Sequence, residues 1–234
     1  MKRTLLIILL FMSHIGFLLA QDSIQIYGQV TDFNHQPLDS VTVALRNKQF
    51  NDISTTTTDR NGNYSMTVPK GNYYCLYAVR SSEYFRTKLE YWTWNVPAYK
   101  NLNINPQYGN MEIYGINASE PQVTPHSTYM IYFRPMSLKK CLDLSNLEER
   151  TELEKKATQT HDTINIAPTK ILPEELSVKI NGAVAKVVSV NKVFEYARGG
   201  YLYGYNIQVL KPQEKVDSLR EDEVIDGYDK ISIV

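Results

Sequence analysis

The run Thr58-Asp59-Arg60-Asn61-Gly62-Asn63-Tyr64 is followed closely by Val68-Pro69-Lys70-Gly71-Asn72-Tyr73. Strand-like runs are punctuated here by an Asn-Gly turn and then a Pro-Lys-Gly turn. That is the spacing of successive hairpins in a small β-sandwich. Upstream, Ile24, Ile26, Gly28 and Val30 share one face of a strand, while Gln25, Tyr27, Gln29 and Thr31 share the other. Val41, Val43 and Leu45 repeat the alternation, and the β-branched run Thr55 to Thr58 suits a pleated strand. Further strands are expected at Tyr64 to Val68, Asn72 to Val79, Leu102 to Asn105, Met111 to Asn117 and Thr128 to Phe133, with Pro135 ending the last.

These signals resemble the carboxypeptidase regulatory-like domain, a transthyretin-type sandwich. The resemblance covers Gln25 to about Val79. It rests on Gly28, Val30, Pro37, Leu38, Val41, Val43, Thr58, Asp59, Gly62, Tyr64, Gly71 and Tyr73. It departs at the first turn, where Asn34-His35 replaces a glycine and positive φ falls to the asparagine. It implies an accessory module that holds, spaces or binds and carries no reaction centre, of the kind found in exported Bacteroidetes proteins. The expected fold class is all-β: the sandwich at 21–138, a helical connector at 139–161 and a smaller β-sandwich-like domain at 162–234.

Residues 1–20 read as a secretory signal peptide. Lys2 and Arg3 precede an apolar run from Leu5 to Leu19, and Ala20 is the small residue before the cut. The alternative is a membrane anchor, for which the run, broken by Ser13, His14 and Gly16, is short. Removing the leader leaves 23 basic against 25 acidic side chains. That balance gives no reason to expect nucleic acid or an anionic membrane as partner. The expected location is periplasmic or secreted, with an envelope protein or a glycan as partner and no membrane span after cleavage.

In the connector, Ser145 and Glu148 form a capping-box pattern, and Glu152 and Lys156 stand at i,i+4 spacing. Beyond it, strands are expected at Thr163 to Ile166, Leu176 to Ile180, Ala185 to Val190, Val193 to Tyr196, Tyr201 to Leu210 and Lys230 to Val234. Asn181-Gly182 and Gly199-Gly200 supply turns. Tyr201, Tyr203 and Tyr205 would form one wall of a sheet, with Phe194 and Tyr196 opposite.

No catalytic constellation is visible, and no metal or cofactor is expected. His35, His126 and His161 fit no ligand spacing, and there is no nucleophile elbow. Asp59, Asn61 and Asn63 look briefly like a calcium loop, but Gly62 precedes the third position and a hairpin turn explains them. The only cysteines, Cys75 and Cys141, are either a disulfide tying the first domain to its connector or free thiols.

The functional candidate is aromatic. Tyr84, Phe85, Tyr91, Trp92, Trp94 and Tyr99 fall within sixteen residues. Flat rings beside polar groups suit sugar binding, so Tyr91, Trp92, Trp94 and Tyr99 are the candidate ligand-binding set. Core packing accounts for the same residues, and buried indoles would sink the sugar platform. An Asp-hydroxyl-aliphatic pattern at Ser23, Ser40, Thr163 and Ser218 resembles the O-glycosylation acceptor of exported Bacteroidetes proteins.

Overall fold

The computed structural model describes residues 22–123, 125–144, 151–153, 155–156, 159, 166–197, 200–212 and 227–234. The leader, His161, Thr163, Ser218, the Ser145–Glu148 box and the strand expected at Thr163 to Ile166 lie largely or wholly outside them.

Two sheets make the first sandwich. Strands β1 (Ser23–Gln29), β4 (Asn63–Pro69) and β7 (Leu102–Asn103) form one, in the order β4-β1-β7. Strands β2 (Thr42–Arg46), β3 (Asp52–Thr57), β5 (Gly71–Val79) and β6 (Tyr91–Ala98) form the other, in the order β3-β2-β5-β6. Ile24, Ile26, Met66 and Val68 from the first meet Val43, Leu45, Leu76 and Val96 from the second in one core. The expected alternation of β1, with Ile24 and Ile26 inward, is observed.

The two opening turns are not hairpins. β3 and β4 belong to different sheets, as do β4 and β5, so both turns are arches that carry the chain across the core. The turn chemistry itself holds. Asp59 Oδ1 accepts the N–H groups of Asn61 and Asn63, both at 2.8 Å, and these bonds hold its carboxyl below the usual carboxylate range. Only Gly62 takes positive φ there, 74°, and a Cβ on it would lie 2.5 Å from the Val30 carbonyl oxygen. In the earlier turn the left-handed residue is His35, φ 60°, and not Asn34. Asp32 Oδ1 supports that turn through the Asn34 and Gln36 N–H groups. Thr58 is buried with its hydroxyl fully used, donating to Leu38 O at 2.7 Å and accepting from Val41 N at 2.9 Å.

β7 is parallel to β1 over only Ile26 and Tyr27. Side chains extend the pairing at either end: Asn101 Oδ1 accepts from Gln25 N and Asn105 Oδ1 from Gln29 N, each at 2.9 Å. Gly28 is required between them, because a Cβ there would sit 1.8 Å from Ile104 O.

Strands β8 (Met111–Ser119) and β9 (Thr128–Ser137) correct the expected division at residue 138. They do not close the first sandwich. They join β10 (Val178–Ile180), β11 (Ala183–Ala197), β12 (Gly200–Leu210) and β13 (Ile231–Ile233) in a six-stranded antiparallel sheet, in the order β13-β10-β11-β12-β9-β8. The reason is register: Ile131 and Phe133 of β9 lie opposite Ile207 and Tyr205 of β12, and all four enter the second core with Val178, Ile180 and Ile233. The expected strands at Ala185 to Val190 and Val193 to Tyr196 are one, bulged at Val187/Ser189. Asn181 and Gly182, φ 50° and 80°, make the β10–β11 turn as expected. Pro135 does not end β9. There β9 bonds β8 alone, since its pairing with β12 covers only Thr128 to Phe133, so one side of the backbone needs no N–H.

The described part of the connector begins with a short helix α1 (Leu138–Asp143). Glu152 pairs with Lys155 at 2.7 Å.

Candidate binding surfaces

The aromatic residues of β5 and β6 split between two faces. Tyr91 packs against the first core, as do Val96 and Ala98, whereas Trp92 and Trp94 lie on the outer face of the four-stranded sheet. This inversion is possible because Asn95 adopts φ 54°, turning the strand over between Trp94 and Val96. Tyr99 lies beyond the end of β6, exposed, with its ring 6.4 Å from that of Tyr228. Trp92 and Trp94 are therefore brought together, and Tyr91 and Tyr99 are not part of their surface.

On that outer face the rings form a column. The Arg46 guanidinium sits 3.7 Å from the Tyr77 ring centroid, Tyr77 stacks on Trp92 at 5.3 Å, and Trp92 stacks on Trp94 at 5.3 Å and 11°. Phe50, held at φ 61° in the β2–β3 turn, lies edge-on to Tyr74, Trp92 and Trp94. Asp52 bonds Arg46 Nε at 2.6 Å. Trp92 is only 9% exposed, and both indole Nε1 atoms are buried without a hydrogen-bond partner; Trp92 Nε1 faces Glu90 outside bonding geometry. Trp92 is thus nearly buried within the column, whereas Trp94 beside it is half-buried.

Trp92 also reaches across to the six-stranded sheet, 5.6 Å from the Tyr114 ring on β8. Beneath this contact lies a sealed polar cluster. Glu90, 8% exposed, accepts from Tyr114 Oη at 3.0 Å and Tyr84 Oη at 3.3 Å. Glu112, 2% exposed, accepts the Glu90 N–H at 3.2 Å through Oε2, while its Oε1 has no partner. Burial raises both carboxyls, Glu112 to about 8, and its position close to Glu90 adds to the effect. Burial also pushes both tyrosine hydroxyls well above their ordinary value. Leu89, Met136 and Leu138 wall the cluster with Tyr84, Tyr114, Cys141 and Ile166. A carboxyl pair separated by 22 residues, one just before β6 and the other in β8, leaves no local sequence signal.

The cysteines are both free. Cys75 lies in β5 opposite Arg46 and Trp94, and burial holds its thiol at about 11; Cys141 lies on α1 in the cluster beside Glu112. The disulfide expected as one alternative is absent because the two belong to different packing groups. Among the described residues no group of three His, Cys, Asp or Glu side chains could hold a metal ion.

The second tyrosine group also divides. Tyr205 is buried, stacked 6.1 Å from Phe133, and donates to Pro168 O at 2.6 Å. Tyr203 meets Phe194 edge-on under Lys192. Of the glycosylation candidates, Ser23 and Ser40 are exposed, and Ser40 donates to Asp39.

A depression lies on the outer face of β4-β1-β7. About 560 Å3 in volume, it is lined by Gln25, Tyr27, Asn63, Ser65, Asn103 and Asn105, with Gly28, Gln29 and Tyr64.

No curated protein matches this chain. Among solved structures it is similar to a DUF3823 family protein from Parabacteroides merdae, at 16% identity and a TM-score of 0.27, covering 50% of this chain and 59% of that one. It is also similar to BcpA, the major pilin subunit of Bacillus cereus, at 12% identity and TM-score 0.29, covering 91% and 68%. A DUF3823 family protein from Bacteroides ovatus follows at 9% identity and TM-score 0.25, covering 90% and 89%. The family model for the carboxypeptidase regulatory-like domain matches residues 25–105, the span from β1 to the Asn101–Asn105 segment. Residues 25–105 are a carboxypeptidase regulatory-like domain.

Proposed function

We propose that the chain is an exported, non-catalytic binding or scaffolding module acting in the periplasm or at the cell surface. The observation that carries this reading is the joint between the two β units. Trp92 packs on Tyr114, and Glu90, Glu112, Tyr84 and Tyr114 are hydrogen-bonded inside a wall of Leu89, Met136 and Leu138. A joint of this kind holds the surfaces of both units in fixed relation, which a scaffold needs and a flexible tether lacks. The regulatory-like domain supports an accessory role, and the basic-then-apolar leader supports export. Among the described residues no helix is long and apolar enough to cross a membrane.

Calorimetry of the exported chain, with sequencing of its N-terminus, tests the reading. A single unfolding transition for both units and a mature chain beginning at Gln21 are expected. Two independent transitions, or retention of the uncleaved chain in the cytoplasm, would overturn it.

A further inference from the structure

We propose that the depression on the β4-β1-β7 face is a binding site for a neutral oligosaccharide. This deepens the binding-module reading and rests on it.

The lining is the first argument. Although 21% of the chain is charged, none of the nine residues around this depression is. It offers exposed amides from Gln25, Asn63 and Asn105, the hydroxyl of Ser65 and the half-buried ring of Tyr27, with the buried Asn103 amide bonded beneath them. A charged ligand finds no counter-ion there, and the lining is shared about evenly between polar and apolar atoms, which suits an amphipathic ligand. A sugar ring carries C–H faces that stack on an aromatic ring and hydroxyls that both donate and accept, as primary amides do. The volume, about 560 Å3, lies within the range of ligand clefts.

Pre-organisation is the second. Asn105 Nδ2 donates to Asn103 Oδ1 at 2.6 Å, and Asn105 Oδ1 accepts from Gln29 N. Asn103 Nδ2 reaches Tyr27 O at 3.4 Å, and Gln29 Nε2 holds Asn61 O at 2.8 Å. These bonds fix the amides on one wall before a ligand arrives, while Gln25 and Ser65 stand exposed opposite. The absent side chain at Gly28 keeps the backbone of β1 close to Ile104. The Glu90–Glu112 cluster, by contrast, is walled in by Leu89, Met136 and Leu138.

The test is an NMR titration of the 15N-labelled exported chain. The probes are maltohexaose, cellohexaose, xylohexaose, mannohexaose and chitohexaose, with oligogalacturonate as the charged comparison. Saturable shifts are expected with at least one neutral probe, clustered at Gln25, Tyr27, Asn63, Ser65 and Asn103. Tyr27→Ala should weaken that binding about tenfold or more. If Tyr27→Ala does not fold, Ser65→Arg, an exposed position on the same face, should block binding with the fold intact. A flat response to every neutral probe, binding of the acidic probe alone, or shifts centred on Trp92 and Trp94 each overturns the proposal. If the response is flat but unfolding remains a single transition, the module reading stands without the glycan site. Two transitions defeat the module reading whatever binds.

Discussion

Trp92 and Trp94 stack in an offset pair, centroids 5.3 Å apart and planes 11° from parallel, with Trp92 buried and Trp94 half-buried. Their role is cohesive. Trp92 links the Arg46–Tyr77 end of the outer face to Tyr114 of the other sheet, joining the two β units through one side chain. Trp92→Ala should therefore destabilise the chain by about 3–5 kcal/mol in urea unfolding. Wild-type emission should be blue-shifted and resistant to acrylamide. Red-shifted, readily quenched emission would contradict the packing described.

Phe50→Ala separates cover from core. Phe50 is 47% exposed and touches the column only edge-on, so its removal should cost about 1 kcal/mol or less. Quenching of the tryptophans should nevertheless rise. A large stability loss with unchanged quenching would show that Phe50 is structural and not a cover.

Glu112 predicts a pH dependence of stability. Its carboxyl titrates at about 8 when folded and near 4.5 when released, so between those values the folded chain holds a proton that the unfolded chain has lost. Stability from this group is complete below about 4.5 and falls as pH rises towards 8. Glu112→Gln, neutral at every pH, should flatten that slope. It should be close to wild type at pH 5 and more stable by on the order of 1–3 kcal/mol at pH 8.5. Thermal melts across that range decide it, and parallel curves for the two proteins would refute the buried proton.

Gly28→Ala should cost at least about 2 kcal/mol, because the new methyl meets backbone and not a yielding side chain. Gly71→Ala, whose nearest neighbour is the Tyr73 ring at 3.9 Å, is the control and should be nearly silent. Denaturant midpoints of the two variants test the contrast.

Thiol titration should find both cysteines reduced in the unfolded chain. In the native chain Cys75 should react slowly, since burial raises its thiol to about 11 and leaves little thiolate at neutral pH. Two free thiols with fast labelling of Cys75 in the native chain would instead mean that β5 opens readily, and a single reducible cross-link would contradict the free cysteines.

What the sequence carried, it carried through local chemistry. The alternation of Ile24 and Ile26, the Asp59 turn and the Asn181-Gly182 hairpin depend on near neighbours, and all three are found where expected. Sheet membership depends on distant partners. Nothing within β9 announces that Tyr132 will lie opposite Asn206, so strands β8 and β9 were legible as strands but not as members of the six-stranded sheet. The surroundings of the two tryptophans were hidden for a related reason. Strand alternation put Trp92 and Trp94 on one face correctly, but what covers that face comes from Phe50, Tyr77 and Tyr114, at three other points in the chain. Glu90 and Glu112 became a pair only through the meeting of β6 and β8. By contrast, the amides of Asn101, Asn103 and Asn105 recur at a spacing of two and could have been singled out.

The bonds from Asn101 and Asn105 to β1 bear on how copies of this protein behave when crowded. A seventh strand of two residues would leave the neighbouring N–H groups at Gln25 and Gln29 open to a foreign strand, the usual seed of edge-to-edge aggregation. Amide side chains already occupy those donors. Removing them with Asn101→Ala and Asn105→Ala would leave the β-pairing intact yet give each molecule a vacant template for its neighbours.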